Sequence, residues 1–270
     1  MGVESRGGVF RWAVNLWRWR RLVATLAVRE VRLRYAGSTL GMAWTVLEPL
    51  AQFGLYLWVF GVILGIRFAD KGIGSYGVYV LSGLIPFLFF QETLTRALGL
   101  ARHQVALLRS SAVPLEVLLA GSYLAIGAKY FTGFLLLTGG GLAAGTLAHR
   151  QVGWLAVALV VLGVGTLGAG LVAVTLGAFV PDASPLAGLV TMAILFASPV
   201  LYPMAAVPEP LRAVVGFNPM VGVLEGFRGF FLGAPVAAGP VMVAVGAGVV
   251  SVVVGSWVHW RRGRFVREVV

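Results

Sequence analysis

Residues 29–50, REVRLRYAGSTLGMAWTVLEPL, change character twice. The stretch opens basic, with Arg29, Arg32 and Arg34 set against Glu30 alone. After Tyr35, the small residues Ala36-Gly37-Ser38 predict a turn. An apolar run of membrane grade follows, and it still carries Glu48 and Pro49. Charge, hinge and descent into lipid are contiguous. The rest of the chain reads as a membrane body attached at this point.

Composition agrees. Of the 270 residues, 59% are hydrophobic and 11% charged, and the mean hydropathy is +0.92. A soluble domain carries about 25% charged residues. Several apolar runs reach about 18 residues, which predicts an all-α, polytopic membrane protein. The runs are continuous rather than alternating, which disfavours a β-barrel. There is no cysteine, hence no disulfide framework or thiol chemistry. His103, His149 and His259 are scattered, without metal-ligand spacing. The net charge of +11 points to membrane topology rather than nucleic acid. The polar start, followed by arginines, does not read as a signal peptide, so the first segment is expected to be retained.

In residues 9–23, Arg11, Asn15 and Arg18 form a polar stripe, with Phe10, Ala13, Val14 and Trp17 on the other side. That predicts a helix lying at the membrane interface, against the plainer reading of a solvated basic tail. The chain then divides into an interfacial segment 1–40, a transmembrane domain 41–260 and a tail 261–270. Six spans are expected: 41–66, one from 76 whose helix continues past Phe90, 115–147, 152–180, 186–202 and 235–260. The fourth is rich in glycine, which favours close helix approach in lipid. Residues 203–234 are apolar but broken by Pro203, Pro208, Pro210 and Pro219. Two pieces too short to span result, and they predict a re-entrant hairpin over 207–232. Asn218-Pro219 is a helix-start signal. Glu225 and Arg228 stand three apart, where they can pair. Fifteen of the 21 lysines and arginines then fall on one side and five on the other. That puts both termini in the cytoplasm.

The chemistry available is sparse. No catalytic triad is suggested, and no Gly-Lys pair exists from which a P-loop could be built. Glu48 and Lys129 are the ionisable residues inside spans. A direct pair between them is open but not indicated, and structural or path-lining roles are favoured over proton coupling. The aromatics Tyr56, Phe60, Phe87, Phe90 and Tyr130 read as packing or anchoring residues, with a sugar path as the sharper alternative. Residues 101–114 mix Leu107, Leu108 and Val113 with Arg102, His103 and Arg109 before Pro114. An apolar and basic connection of this kind on the cytoplasmic side suits docking to another protein.

Four stretches stand out together: RLRYAGSTLGMAWTVLEPL at 32–50, LSGLIPFLFFQETL at 81–94, LLRSSAVPLEVL at 107–118 and SPVLYPMAAVPEPLRAVVGFNPMVGVLEGFRGFFLG at 198–233. In this order they resemble the membrane subunit of a type-2 ABC exporter, in its polysaccharide, O-antigen and teichoic-acid (polyol phosphate) branch. The resemblance implies six spans, a homodimer and two copies of a separate cytoplasmic ATPase that holds the ATP and Mg. It implies a non-enzymatic permease in the cytoplasmic (inner) membrane that exports a lipid-linked glycan. Arg102, His103, Leu107, Leu108, Arg109 and Pro114 would couple to the ATPase. Arg29, Arg32, Arg34, Tyr35 and Glu48 would sit at the substrate entrance, the five aromatics along the path, and Asn218, Pro219, Glu225 and Arg228 at the outer gate. Many relatives carry an Arg-Asp pair after the fourth span; here Pro181-Asp182 keeps only the acid. A permease for a drug or small lipid, or a transporter working without ATP, is the alternative.

Overall fold

A computed structural model describes residues 9–63, 72–103, 113–143, 145–180 and 182–266. Among them every regular element is helical. In order these are α1 (Arg11–Arg18), α2 (Arg20–Arg34), α3 (Trp44–Tyr56), α4 (Gly72–His103), α5 (Leu115–Ala143), α6 (Val152–Phe179), α7 (Ala183–Ala197), α8 (Glu209–Gly216), α9 (Pro219–Leu232) and α10 (Ala238–Arg262). The π-helical stretch Leu57–Ile63 continues α3.

Among the described residues four stretches are long and apolar enough to cross a membrane: Tyr76–His103, Leu115–Ala143, His149–Phe179 and Ala238–Arg262. They match four of the six expected spans. The expected first span is split between α3 and its π-helical continuation, with residues 64–66 outside the described set. The expected fifth ends early. α7 stops at Ala197, because Ser198 turns extended, with φ −107° and ψ 139°. The second continues past Phe90 as expected. With 32 residues, α4 is about 48 Å long, well over the roughly 30 Å of hydrocarbon. It carries Pro86 in its interior.

Helix α6 is the centre of the bundle, against α4, α9 and α10. Its glycines make this packing. A Cβ on Gly168 would lie 2.6 Å from the backbone of Ser251 and Val252 on α10. A Cβ on Gly177 would collide with the Leu98 carbonyl of α4. Backbone contact at these points permits no side chain. Helix α5 packs on α4 and also receives α2 and α3, with Gly121 facing Leu26.

Among the described residues two apolar cores result. One joins Tyr76, Leu84, Phe87, Ile126, Leu224, Phe227 and Phe231. The other joins Leu98, Leu100, Leu118, Leu119, Leu171 and Val174, and Trp12, Leu16 and Trp19 of the N-terminal segment pack against it. Helix α1 therefore lies on the body through Trp12, Leu16 and Trp19. Phe10, Val14 and Trp17 are 54%, 67% and 73% exposed. Of the expected polar stripe, Asn15 turns to the body, where it donates to Glu116 on α5 at 2.6 Å.

Helix α9 is buried almost throughout, while α8 has no buried residue. At its foot Asn218 and Pro219 share an apolar cavity of about 420 Å³ with Leu162 and Thr166 of mid-α6 and Ala247 and Ser251 of mid-α10. At its head the Ala148 N–H donates to the Phe230 carbonyl at 2.8 Å. Helix α9 thus climbs from the middle of the bundle to the end where α6 begins.

Candidate functional site

Four elements converge on a ring of charge. Arg34 closes α2, Tyr35 follows it, Glu48 lies in α3, Glu92 in α4, and Lys129 and Tyr130 in α5. Lys129 Nζ stands 2.6 Å from Glu48 Oε1 and 3.0 Å from Glu92 Oε2. Arg34 Nη1 donates to Glu92 Oε1 at 2.7 Å. The Tyr130 hydroxyl donates to Glu92 Oε2 at 2.8 Å, and the Tyr35 hydroxyl to Glu48 Oε2 at 3.1 Å. Two cations, two carboxylates and two phenols close on themselves with no net charge. Burial and then the Glu48 carboxylate push the Tyr35 pKa up, so this phenol stays a neutral donor.

The ring borders an open cleft of about 640 Å³, lined by Arg34, Tyr35, Ser38, Trp44, Glu48, Glu92 and Lys129. Of the five expected entrance residues, Arg34, Tyr35 and Glu48 meet here. Arg29 and Arg32 line a separate groove on α2 with Thr25 and Val28. Sequence reasoning left a Glu48–Lys129 contact open; the structure makes it direct. It missed Glu92. The available signal was an acid in the polar end of α4, opposite a lysine on the next helix.

Four of the five aromatics share the first core: Phe87 lies within it, and Tyr56, Phe90 and Tyr130 pack against it. Phe87 is fully enclosed in the core. Phe90 borders the mid-bundle cavity. Tyr56 packs against the first core, Tyr130 belongs to the ring, and the side chain of Phe60 lies outside the described set.

The connection 101–114 is partly described. The Arg102 guanidinium donates from Nε to the Gly177 carbonyl at 2.8 Å and from Nη2 to that of Ala178 at 3.4 Å. It caps α6, whose last carbonyls lack helical partners. His103 is exposed, and Pro114 stands just before α5. Leu107, Leu108 and Arg109 lie outside the described residues.

The gate residues surround α9. Asn218 Oδ1 accepts the Met220 N–H at 3.0 Å, and Nδ2 donates to Ser198 Oγ at 2.8 Å. The helix start expected at Asn218-Pro219 is therefore present. Glu225 and Arg228 do not form an ion pair. Glu225 accepts the Ala237 N–H at 3.1 Å. Arg228 Nη2 instead donates to the carbonyls of Pro199 and Val200 at 2.6 and 3.0 Å. Its guanidinium lies over the Tyr79 ring, and its Nε is buried without a hydrogen-bond partner among the described residues. Burial on α9 and the free carbonyls where α7 has ended outweigh the i,i+3 neighbour.

A third polar cluster was not foreseen. Glu116, buried at the start of α5, accepts Asn15 Nδ2 at 2.6 Å and lies 3.2 Å from His259 Nε2. Trp12 Nε1 donates to Ser256 Oγ at 2.7 Å beside it. Nearby, Glu30 accepts Arg96 Nε at 2.9 Å and Ser122 Oγ at 2.6 Å. Among the described residues no three His, Cys, Asp or Glu side chains gather to hold a metal ion.

The family described as ABC-2 type transporter matches residues 21–232. The chain is 23% identical over 243 residues to the O-antigen export system permease protein RfbA of Klebsiella pneumoniae, across 87% of this chain and 89% of that one. It is 26% identical over 204 residues to the polysialic acid transport protein KpsM of Escherichia coli, across 75% and 78%. It is 24% identical over 219 residues to the RfbA permease of Myxococcus xanthus, across 80% and 82%.

Proposed function

The chain belongs to the ABC-2 type transporter family, and from that premise we propose that it is the transmembrane subunit of an ATP-driven exporter of a lipid-linked polysaccharide. The observation that carries this reading is the extent of the likeness: relatives named for O-antigen export and polysialic acid transport match it over three quarters of its length or more. The chain itself performs no hydrolysis. Two copies enclose the path, and two cytoplasmic ATPase subunits bind ATP and Mg.

In this reading the molecule lies in the cytoplasmic membrane with both termini inside. Helices α3 and α7 complete six spans, and α8–α9 form a re-entrant hairpin at the outer gate. The foot of α9 at mid-bundle and its head beside Ala148 support that hairpin. The cleft at Arg34, Tyr35 and Glu48 is the cytoplasmic entrance, where a lipid diphosphate is drawn in electrostatically. The 101–114 connection docks the ATPase. Arg102 couples its movement to α6 through the carbonyls it caps, and rigid movement of the helices opens the path.

Native mass spectrometry after gentle extraction from the host tests the assignment. Two copies of this chain with two ATPase subunits are expected. A dimer that recruits no ATPase, with 101–114 intact, overturns it.

A further inference from the structure

The ring holds more than a static ion pair. Its two carboxylates are not equivalent. Glu92 accepts from Arg34, Lys129 and Tyr130, on a helix packed against α5, α6 and α9. Among the described residues Glu48 accepts from Lys129 and Tyr35 alone. Its side chain is 39% exposed, against 27% for Glu92. It rides on α3, where only Pro49 and Phe53 are buried and where Val46, Leu47 and Leu50 are exposed. Pro49 removes a backbone donor next to it. Glu48 is the carboxylate that can leave.

The cations are held by firmer parts. Lys129 is 11% exposed and lies midway along α5. An ammonium has three donors, and the two carboxylates occupy two of them. Arg34 ends α2, which packs along α5. Both cations border the cleft. A diphosphate offers more charge and more acceptor oxygens than a carboxylate, and charge-assisted bonds to it are strong.

We propose that Lys129, with Arg34, is the seat for the phosphate of a lipid headgroup, and that Glu48 is a place-holder which this phosphate displaces. The identification of that lipid as the glycan's diphosphate carrier rests on the export reading; the seat itself does not. When Glu48 leaves, Lys129 and Tyr35 pass from it to the phosphate, and α3 loses its charged tie to α5. Binding at the entrance thereby frees the helix that flanks it. Glu92 stays and keeps Lys129 and Arg34 a fixed distance apart. Lys129 is then a specificity residue for anionic headgroups.

The test uses the full chain in nanodiscs of zwitterionic phosphatidylcholine, titrated with a polyprenyl diphosphate and, separately, the corresponding polyprenol. Trp44 borders the cleft, so tryptophan fluorescence reports occupancy, with native mass spectrometry as the second readout. Glu48→Gln is expected to tighten diphosphate binding about tenfold, because a competing like charge is removed. Lys129→Gln is expected to weaken it about tenfold or more. Polyprenol affinity should change in neither variant. A Glu48→Gln variant that binds diphosphate no tighter overturns the proposal. That variant keeps both cations, so its sign decides even where Lys129→Gln fails to fold.

A second arm replaces part of the phosphatidylcholine with phosphatidylglycerol. If Glu48→Gln favours phosphatidylglycerol as strongly as the diphosphate, the seat serves ordinary bilayer headgroups and the carrier assignment falls. None of these titrations needs an ATPase. A chain that shows the expected signs yet recruits no ATPase sinks the export reading and leaves the seat standing.

Discussion

The Arg228 guanidinium lies 3.6 Å from the centroid of the Tyr79 ring, and the same side chain binds the carbonyls of Pro199 and Val200. The Tyr79 hydroxyl in turn donates to the Tyr202 carbonyl at 2.8 Å, and that of Tyr76 to the Leu201 carbonyl at 2.9 Å. A helix from each side grips the irregular segment after α7. A desolvated cation–π contact contributes about 2 kcal/mol, and a hydrogen bond to a charged group about 1.5–3 kcal/mol. Arg228→Ala should therefore destabilise by about 3 kcal/mol, and Tyr79→Phe, which keeps the ring, by about 1 kcal/mol. Thermal unfolding in detergent, with the double variant closing a cycle, measures the coupling. Additive losses would refute the shared grip.

The charged ring makes an ordering prediction. Glu92 serves three donors and Glu48 two, so Glu92→Gln should cost more stability than Glu48→Gln. Lys129→Met should cost most, about 3–5 kcal/mol, because it leaves two partly buried carboxylates without the cation between them. Chemical denaturation of the three variants gives the order.

Glycine positions separate into two classes. Gly177→Ala drives a methyl into the Leu98 backbone carbonyl, which neither helix can relieve by a rotamer change. A loss of about 3 kcal/mol or more is expected, at the upper end of overpacking costs. Gly139→Ala meets open space on α5 and should gain about 0.5–1 kcal/mol in helix propensity. Monodispersity and melting temperature of the pair provide the check.

The N-terminal segment is held through Glu116. Glu116→Leu removes the acceptor for Asn15 and His259 together and should release α1, whereas Glu116→Gln keeps one acceptor oxygen and should hold it. Trypsin cleavage at Arg18, Arg20 and Arg21 reads the difference. Equal cleavage rates would mean that Trp12, Leu16 and Trp19 alone hold the helix.

What the sequence made legible follows physical range. Long apolar runs and the Asn218-Pro219 start are local signals, and the four long helices and α9 stand where those signals put them, whereas the expected fifth span ends early at Ala197. The re-aimed side chains are different. Counting polar neighbours along its own helix puts Asn15 on a polar stripe with Arg11 and Arg18, yet its acceptor, Glu116, is on α5. Arg228 has a carboxylate three residues away, yet backbone carbonyls freed by the early end of α7 take it. Glu92 joins Lys129 only because α4 and α5 pack at one depth. Depth along a helix is a tertiary quantity, and no periodicity encodes it.

Helix α4 makes three polar contacts along its length: Tyr76 and Tyr79 grip the segment after α7, Glu92 sits in the ring, and Arg102 caps α6. Pro86 lies between the grip and the ring, where the backbone ladder lacks a donor. A bend at Pro86 would divide the helix into two arms. The arm from Phe87 to His103 is about 26 Å long, so a tilt of about 7° swings its tip by about 3 Å. That displacement matches the length of the bonds that bind Arg102 to α6. Force applied beside His103 would then reach the ring and α6 before the contacts of Tyr76 and Tyr79.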